Sequence, residues 1–139
     1  MLLGGIYADL GQTEDRTRAM RRSYDAARKH LELNPDKPRA LYMGAAALIE
    51  LGEREKALDW TRRAESMEPD DPSVLYNVAC DYAMLEMKEE GVKALTRAID
   101  NGFGHWKWIE HDSTLDNLRS EAGFQALLAR KPQEQPIKA

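Results

Sequence analysis

The sequence predicts an all-α chain, and three observations predict it. Long stretches rich in Ala, Leu, Glu, Lys, Arg and Met, the strong helix formers, are punctuated by only six prolines and nine glycines. Strand-like runs of Val, Ile and Thr are absent. The middle of the chain also repeats itself with a period of 34 residues, the mark of stacked helical units.

The repeat justifies the central elements. Sliding the chain by 34 residues from Pro38 lays Pro38 on Pro72, Leu41 on Leu75, Tyr42 on Tyr76 and Ala45 on Ala79. Leu51 then meets Leu85, Glu55 meets Glu89, Arg63 meets Arg97 and Ala64 meets Ala98. These are eight identities, where roughly two would arise by chance in ordinary composition. Each unit reads as a helix, a turn and a second helix. Leu41, Ala45, Leu48 and Leu51 share one helical face. Gly52 supplies a left-handed cap, and Ala57, Leu58, Thr61 and Ala64 carry the second face. Glu68-Pro69-Asp70-Asp71 ends that helix, and Pro72 opens the next unit in a first turn where proline is tolerated. Small residues at Ala45, Ala57 and Ala64 allow two helix backbones to approach closely. One such hairpin cannot bury its apolar face alone, so the units must stack.

This pattern resembles the tetratricopeptide repeat. Its sequence of large apolar, small, aromatic, Gly, Ala, aromatic, Ala and Pro positions reads here Leu41, Ala45, Leu48, Gly52, Ala57, Thr61, Ala64 and Pro69. The next unit reads Leu75, Ala79, Tyr82, Glu86, Gly91, Leu95, Ala98 and Phe103. Glu86 replaces the turn glycine, Gly91 replaces a packing alanine, and Thr61 is polar where an aromatic is usual. The resemblance implies a right-handed α-solenoid of helix-turn-helix hairpins, closed by a C-terminal helical cap.

The ends depart from the repeat. Residues 1–37 read as a divergent hairpin: a short helix from Leu2 to Leu10, a turn at Leu10-Gly11, and an elongated second helix from about Thr13 to Leu33. Met20, Tyr24, Ala27 and Leu31 keep a core-facing spacing along it. Repeats follow at 38–71 and 72–105. Residues 106–130 form capping helices, completing one domain over 1–130, and 131–139 read as a flexible tail. In the cap, Trp106 and Ile109 face inward, Asp112-Ser113-Thr114 offers a helix cap, and Phe124, Leu127 and Leu128 give one apolar face. The stretch from Gly102-Phe103 to Leu127 resembles the closing segment after tetratricopeptide arrays in bacterial multidomain signalling proteins such as nucleotide cyclases and protein kinases. The short first helix without a clear N-cap fits either excision from a longer protein or a native start.

Composition narrows the function. With 139 residues, 42% apolar and 32% charged, the chain suits one folded domain and not a disordered tail. A net charge of −4 gives little support for a nucleic-acid partner. No run of about 18 apolar residues occurs, so no membrane span is expected. Met1-Leu2-Leu3-Gly4-Gly5-Ile6 lacks a basic flank and does not read as a signal peptide. The single Cys80 excludes an internal disulfide and fits a reducing compartment. The expected location is the cytoplasm.

The resemblance implies that the first helices of successive hairpins line a concave groove for a peptide or helix. Residue by residue this places Arg39, Tyr42, Met43, Ala46, Ile49 and Glu50 on the groove, with Ser73, Tyr76, Asn77, Cys80 and Met84 from the next unit. Tyrosines give rigid amphipathic area, methionines adapt, and Asn77 can bond a peptide backbone. The lysine, arginine and asparagine clamp by which some family members hold a terminal carboxylate is not expected, because Tyr42 and Met43 occupy its positions. Asp81 stands where the repeat has buried Ala47. An unpaired buried carboxylate is costly, so the site is expected to open to water, or Asp81 pairs with His111 or Lys107 and ties the cap to the last repeat. Asp81, Trp108 and His111 are accordingly candidate cap contacts.

No chemistry is expected. Phosphate-binding glycine loops, nucleophile elbows and Cys/His frames are missing. His105 and His111 are six apart, which suits no shared metal ligation on one helix, and Glu110 and Asp112 do not complete a known pattern. Arg16, Arg18, Arg21, Arg22, Arg28 and Lys29 are interleaved with Asp15, Asp25 and Glu32, the pattern of a solvated face. The sequence therefore predicts a non-catalytic scaffold that binds a protein or peptide, with no cofactor and no metal. The alternatives are a regulatory or self-association tail of a larger bacterial signalling enzyme and, behind that, a small metal-dependent enzyme. An N-terminal hairpin with no covering neighbour offers a face for homodimer formation.

Overall fold

The computed structural model describes the backbone of residues 2–133 and the side chains of 13–133, and every described regular element is helical. The order is α1 (Leu2–Leu33), α2 (Pro38–Glu50), α3 (Arg54–Met67), α4 (Pro72–Met84), α5 (Lys88–Asp100), α6 (Trp106–His111), a 3-10 helix (Ser113–Leu118) and α7 (Ala122–Leu128).

Two hairpins, α2–α3 and α4–α5, form the centre and stack through α4 against both α2 and α3. Pro38 and Pro72 open α2 and α4, where a missing N–H costs nothing. Asp71 caps α4, its Oδ1 accepting from the backbone N–H of Ser73 at 2.9 Å and of Val74 at 3.1 Å. Three helices end in the same way. The N–H of Gly52 bonds Ile49 O and that of Glu53 bonds Leu48 O. Glu86 with Met87, and Gly102 with Phe103, repeat this pair of bonds. Gly52 and Gly102 hold φ of +82° and +105°. Glu86 holds +61°, so the substituted position keeps the left-handed turn and carries its strain.

The apolar faces meet as their spacing requires. Leu41, Ala45 and Leu48 of α2, Ala57 and Ala64 of α3, Leu75 and Ala79 of α4, and Leu95 and Ala98 of α5 are all at most 1% exposed. Thr61, polar in an aromatic position, is also fully buried, and its hydroxyl donates to Ala57 O at 2.9 Å. Trp60 fills the junction between the first hairpin and α1. Its ring lies 5.3 Å from that of Tyr24, and a Cβ at Gly44 would stand only 2.7 Å from its Cε3 and closer still to Cζ3.

The N-terminal region differs from expectation. Leu2–Leu33 is one unbroken helix of 32 residues, so no turn forms at Gly11 and no N-terminal hairpin exists to mediate pairing. A lone glycine costs a helix only about 1 kcal/mol, too little to break it without a competing turn. The side chains expected around that turn lie outside the described residues. Farther along α1, Tyr24 is buried, and Met20, Ala27 and Leu31 pack on the core as their spacing predicts.

At the other end, the 3-10 helix packs on α4 and more lightly on α5, and α7 touches α5. Leu115, Leu118 and Phe124 are fully buried. Arg119 holds this cap together, donating to Ile109 O at 3.1 Å, to Asp112 O at 2.7 Å and to Asp116 Oδ1 at 2.8 Å. Asn117 joins it to α4 through Ala83 O at 2.8 Å. In the tail, Lys131 is ion-paired with Glu110 at 2.6 Å, and 134–139 lie outside the described residues. No described helix is long and apolar enough to cross a membrane.

Candidate functional site

α2 and α4 lie side by side, and between their inner faces is a cavity of about 180 Å³. Six residues expected on the groove line it: Tyr42, Met43, Ala46, Asn77, Cys80 and Met84. Met43 is exposed, while Tyr42, Ala46, Asn77 and Met84 are half-buried. Asn77 donates its amide to Ser73 O at 2.8 Å, which leaves its carbonyl oxygen as the acceptor for a guest.

Five expected groove residues lie elsewhere. Arg39 directs its Nε to Met43 Sδ at 3.3 Å and faces a cleft of about 290 Å³ shared with α1. Glu50 is held by Arg16 of α1 through two hydrogen bonds of 2.8 and 2.9 Å. Ile49 and Ser73 do not reach the cavity, Ser73 standing at the capped start of α4. Tyr76, expected on the groove, is instead buried at 4% exposure beneath the cap. Its ring stacks on Phe103 at 4.3 Å, and its hydroxyl donates to Asp112 Oδ2 at 2.6 Å. Tyr42 and Tyr76 are equivalent in the repeat. They differ because α4 follows Tyr42 in the stack, whereas the cap follows Tyr76.

Asp112 is the residue that sequence reasoning placed only as a helix cap. Its Oδ1 accepts from the Thr114 backbone N–H at 3.0 Å and hydroxyl at 2.7 Å, while Oδ2 receives Tyr76. Burial alone would raise its pKa. The bonds from Tyr76 and Thr114, with the charge of Arg119, outweigh burial and hold it below the usual carboxylate range. Asp112 therefore brings a fixed negative charge to the rim of the cavity. Cys80 Sγ lies 3.9 Å from the same oxygen, and burial pushes this thiol up to about 12. It remains a protonated, unreactive thiol at neutral pH.

Asp81 also lines the cavity, and here both expectations fail. The residue is 2% exposed, so the position is not open to water. It is as buried as Ala47 at the same place in the preceding unit. Neither His111 nor Lys107 reaches it, and both are exposed. Its Oδ2 has no hydrogen-bond partner, and burial pushes its carboxyl well above the usual range. Of the proposed cap contacts only Trp108 is one. It stacks on His105 at 4.5 Å and lies against Tyr76 and Phe103, while remaining 56% exposed.

Among the described residues no group of three or more His, Cys, Asp or Glu could hold a metal ion. What the site offers is an apolar wall, two carboxyl groups and one free amide carbonyl.

The chain matches no family model and no solved structure. Among curated proteins it is similar to a chloroplastic protein of Arabidopsis thaliana, with 37% identity over 83 residues, 55% of this chain and 24% of that protein. The chain thus spans about a quarter of the length of this relative.

Proposed function

We propose that the chain is a helical-repeat scaffold of the tetratricopeptide type, a right-handed solenoid that binds a peptide or helix of a partner protein and performs no chemistry itself. The setting that suits a chain with one buried thiol is the cytoplasm. The observation that carries this reading is the indentation between α2 and α4, where exposed Met43 stands with half-buried Tyr42, Ala46 and Met84 beside the acceptor of Asn77. Apolar walls with a few convergent polar groups are what peptide anchors seek. The cap covers Tyr76, which leaves the indentation between α2 and α4 as the groove. Selecting random dodecapeptides against the protein tests the reading. Binders should lose at least about tenfold in affinity to Ala46→Arg, which fills the indentation. Peptides that bind wild type and Ala46→Arg equally would remove the groove from consideration.

A second reading, self-association of the kind that would suit a tail of a larger bacterial signalling enzyme, is favoured by the cleft between α1 and α2. Ala26, Ala27, Ala40 and Met43 line it together with Ser23, His30 and Arg39. Light scattering over a concentration series tests it. A dimer should form and be dissolved by Ala26→Glu, and a monomer at every concentration would end it.

A further inference from the structure

Asp81, one of the residues lining the cavity, has a carboxyl oxygen with no partner among the described residues. Asp81 is 2% exposed, and its Oδ2 meets no donor. Such a group normally carries a penalty unless something is paired with it. It lines a cavity of about 180 Å³, large enough for the end of a long side chain. No lysine, arginine or histidine lines that cavity. Asp112, which lines the same cavity, adds a negative charge already secured by Tyr76 and Thr114. One N–H of the Asn77 amide is taken by Ser73 O, and its carbonyl oxygen adds an acceptor. Asp81, Asp112 and Asn77 thus line one cavity with no cationic side chain among the lining residues. Around them Met43, Ala46 and Met84 supply apolar surface suited to the methylene stem of a long basic side chain.

From the unpartnered Asp81 oxygen, the Asp112 charge and the apolar walls of one cavity, we infer that the inner-face site takes the cationic head of a lysine or arginine side chain from the partner peptide. The inference rests on the proposed groove and names the chemistry of its anchor. A metal ion is a poor alternative occupant, because the described residues hold no cluster of three ligating side chains. A cationic head brings several donors at once, enough for Asp81 Oδ2 and Asn77 Oδ1 together. Burial, which disfavours the lone carboxylate, then strengthens its attraction to the arriving charge.

The test has two arms. In the first, 15N-labelled protein is titrated with Nα-acetyl-lysine methylamide and Nα-acetyl-arginine methylamide, with the norleucine analogue as the neutral isostere. Single residues bind weakly, so titration runs to about ten times a millimolar constant. Saturable shifts at Asn77, Asp81 and Met84 are expected with at least one basic compound, and none with norleucine. Asp81→Asn, which keeps shape and removes charge, should weaken that response by about tenfold. Absence of a saturable shift with either basic compound, an equal response to norleucine, or full binding to Asp81→Asn overturns the inference. A circular dichroism spectrum matching wild type keeps the variant informative, and Asp81→Ala provides a second.

The second arm uses the dodecapeptides selected on the inner face. Each lysine or arginine in a binder is replaced by norleucine. One replacement should cost about tenfold on wild type and markedly less on Asp81→Asn, where the Asp112 charge remains. Binders that compete at Ala46 but need no basic residue leave the groove standing and overturn the cationic anchor. Absence of any inner-face binder overturns both.

Discussion

Replacing Asp81 by alanine should stabilise the protein, by an amount that grows with pH. Ala47 stands at the equivalent place one unit earlier and is equally buried, so the backbone accepts alanine there. A polar group buried without a partner costs about 1–3 kcal/mol in protein mutational data, and Oδ2 of Asp81 is such a group. The lost carboxyl borders an existing cavity, so little new void is sealed into the core. A gain of about 1–2 kcal/mol follows before ionisation is counted, equivalent to roughly 3–6 °C in Tm for a domain of this size. Burial raises the folded-state pKa of Asp81. Below the unfolded value of about 3.9 both states are protonated, and ionisation contributes nothing. Above it the unfolded chain sheds the proton while the folded chain retains it. Wild type therefore loses up to about 1.4 kcal/mol per pH unit until the folded pKa is passed. The groups facing Asp81 do not mask this. Tyr42 and Cys80 are pushed upward, and Asp112 is held below the usual range. Urea unfolding followed by circular dichroism at pH 4, 5, 6 and 7 measures the effect. A stability difference that is constant over this range, or an alanine variant weaker than wild type at pH 7, would refute the reasoning. The expected gain in stability with loss of basic-peptide binding is a stability–function trade-off concentrated in one carboxyl group.

Four further outcomes are expected. Glu86→Gly should stabilise by about 1 kcal/mol, because Glu86 holds a φ of +61° that glycine adopts freely; thermal unfolding reads it, and a fall in Tm would contradict the turn geometry. Gly44→Ala gains about 1 kcal/mol of helix propensity but drives a Cβ into the buried Trp60 ring, 2.7 Å from Cε3. Overpacking of about 1–3 kcal/mol should win, and Tm should fall together with a change in the near-ultraviolet tryptophan signal. Tyr76→Phe removes a hydrogen bond to an ionised carboxylate and should cost about 1–2 kcal/mol at pH 7. Because the Asp112 pKa is lowered, this contribution is present above about pH 3.9 and lost as pH falls through the folded value; a loss unchanged at pH 2.5 would count against it. Cys80, buried and raised to about 12, should react with a disulfide reagent at pH 8 only as fast as the fold opens, so rapid labelling of native protein would place it in a different environment.

Several features were legible because they are local. The helix-forming composition, the 34-residue offset and the prolines at Pro38 and Pro72 are written in neighbouring residues, and the central hairpins follow from them. So does the turn at Glu86, whose position in the repeat marked it as a glycine place. The buried faces of Leu41, Ala45, Leu75 and Ala79 follow from helical spacing. Trp60 carried no such signal. Its burial depends on Gly44 being bare and on Tyr24 approaching from a different helix.

The candidate groove was legible only in outline. The repeat equated Tyr42 with Tyr76, yet one lines the cavity and the other is sealed by Phe103 and Asp112. It also equated Asp81 with Ala47 and thereby marked it as anomalous, but could not say whether water, a base or nothing would meet it. Helices and turns arise from interactions within a few residues, so the sequence alone determined an all-α chain built on two similar hairpins. The partners of Asp112 and Glu50 lie on other elements, with Asp112 and Tyr76 as far as 36 residues apart. Hydrogen bonding and desolvation depend on what surrounds a group in space, and only the packing of α1 and the cap around α2 and α4 decided that.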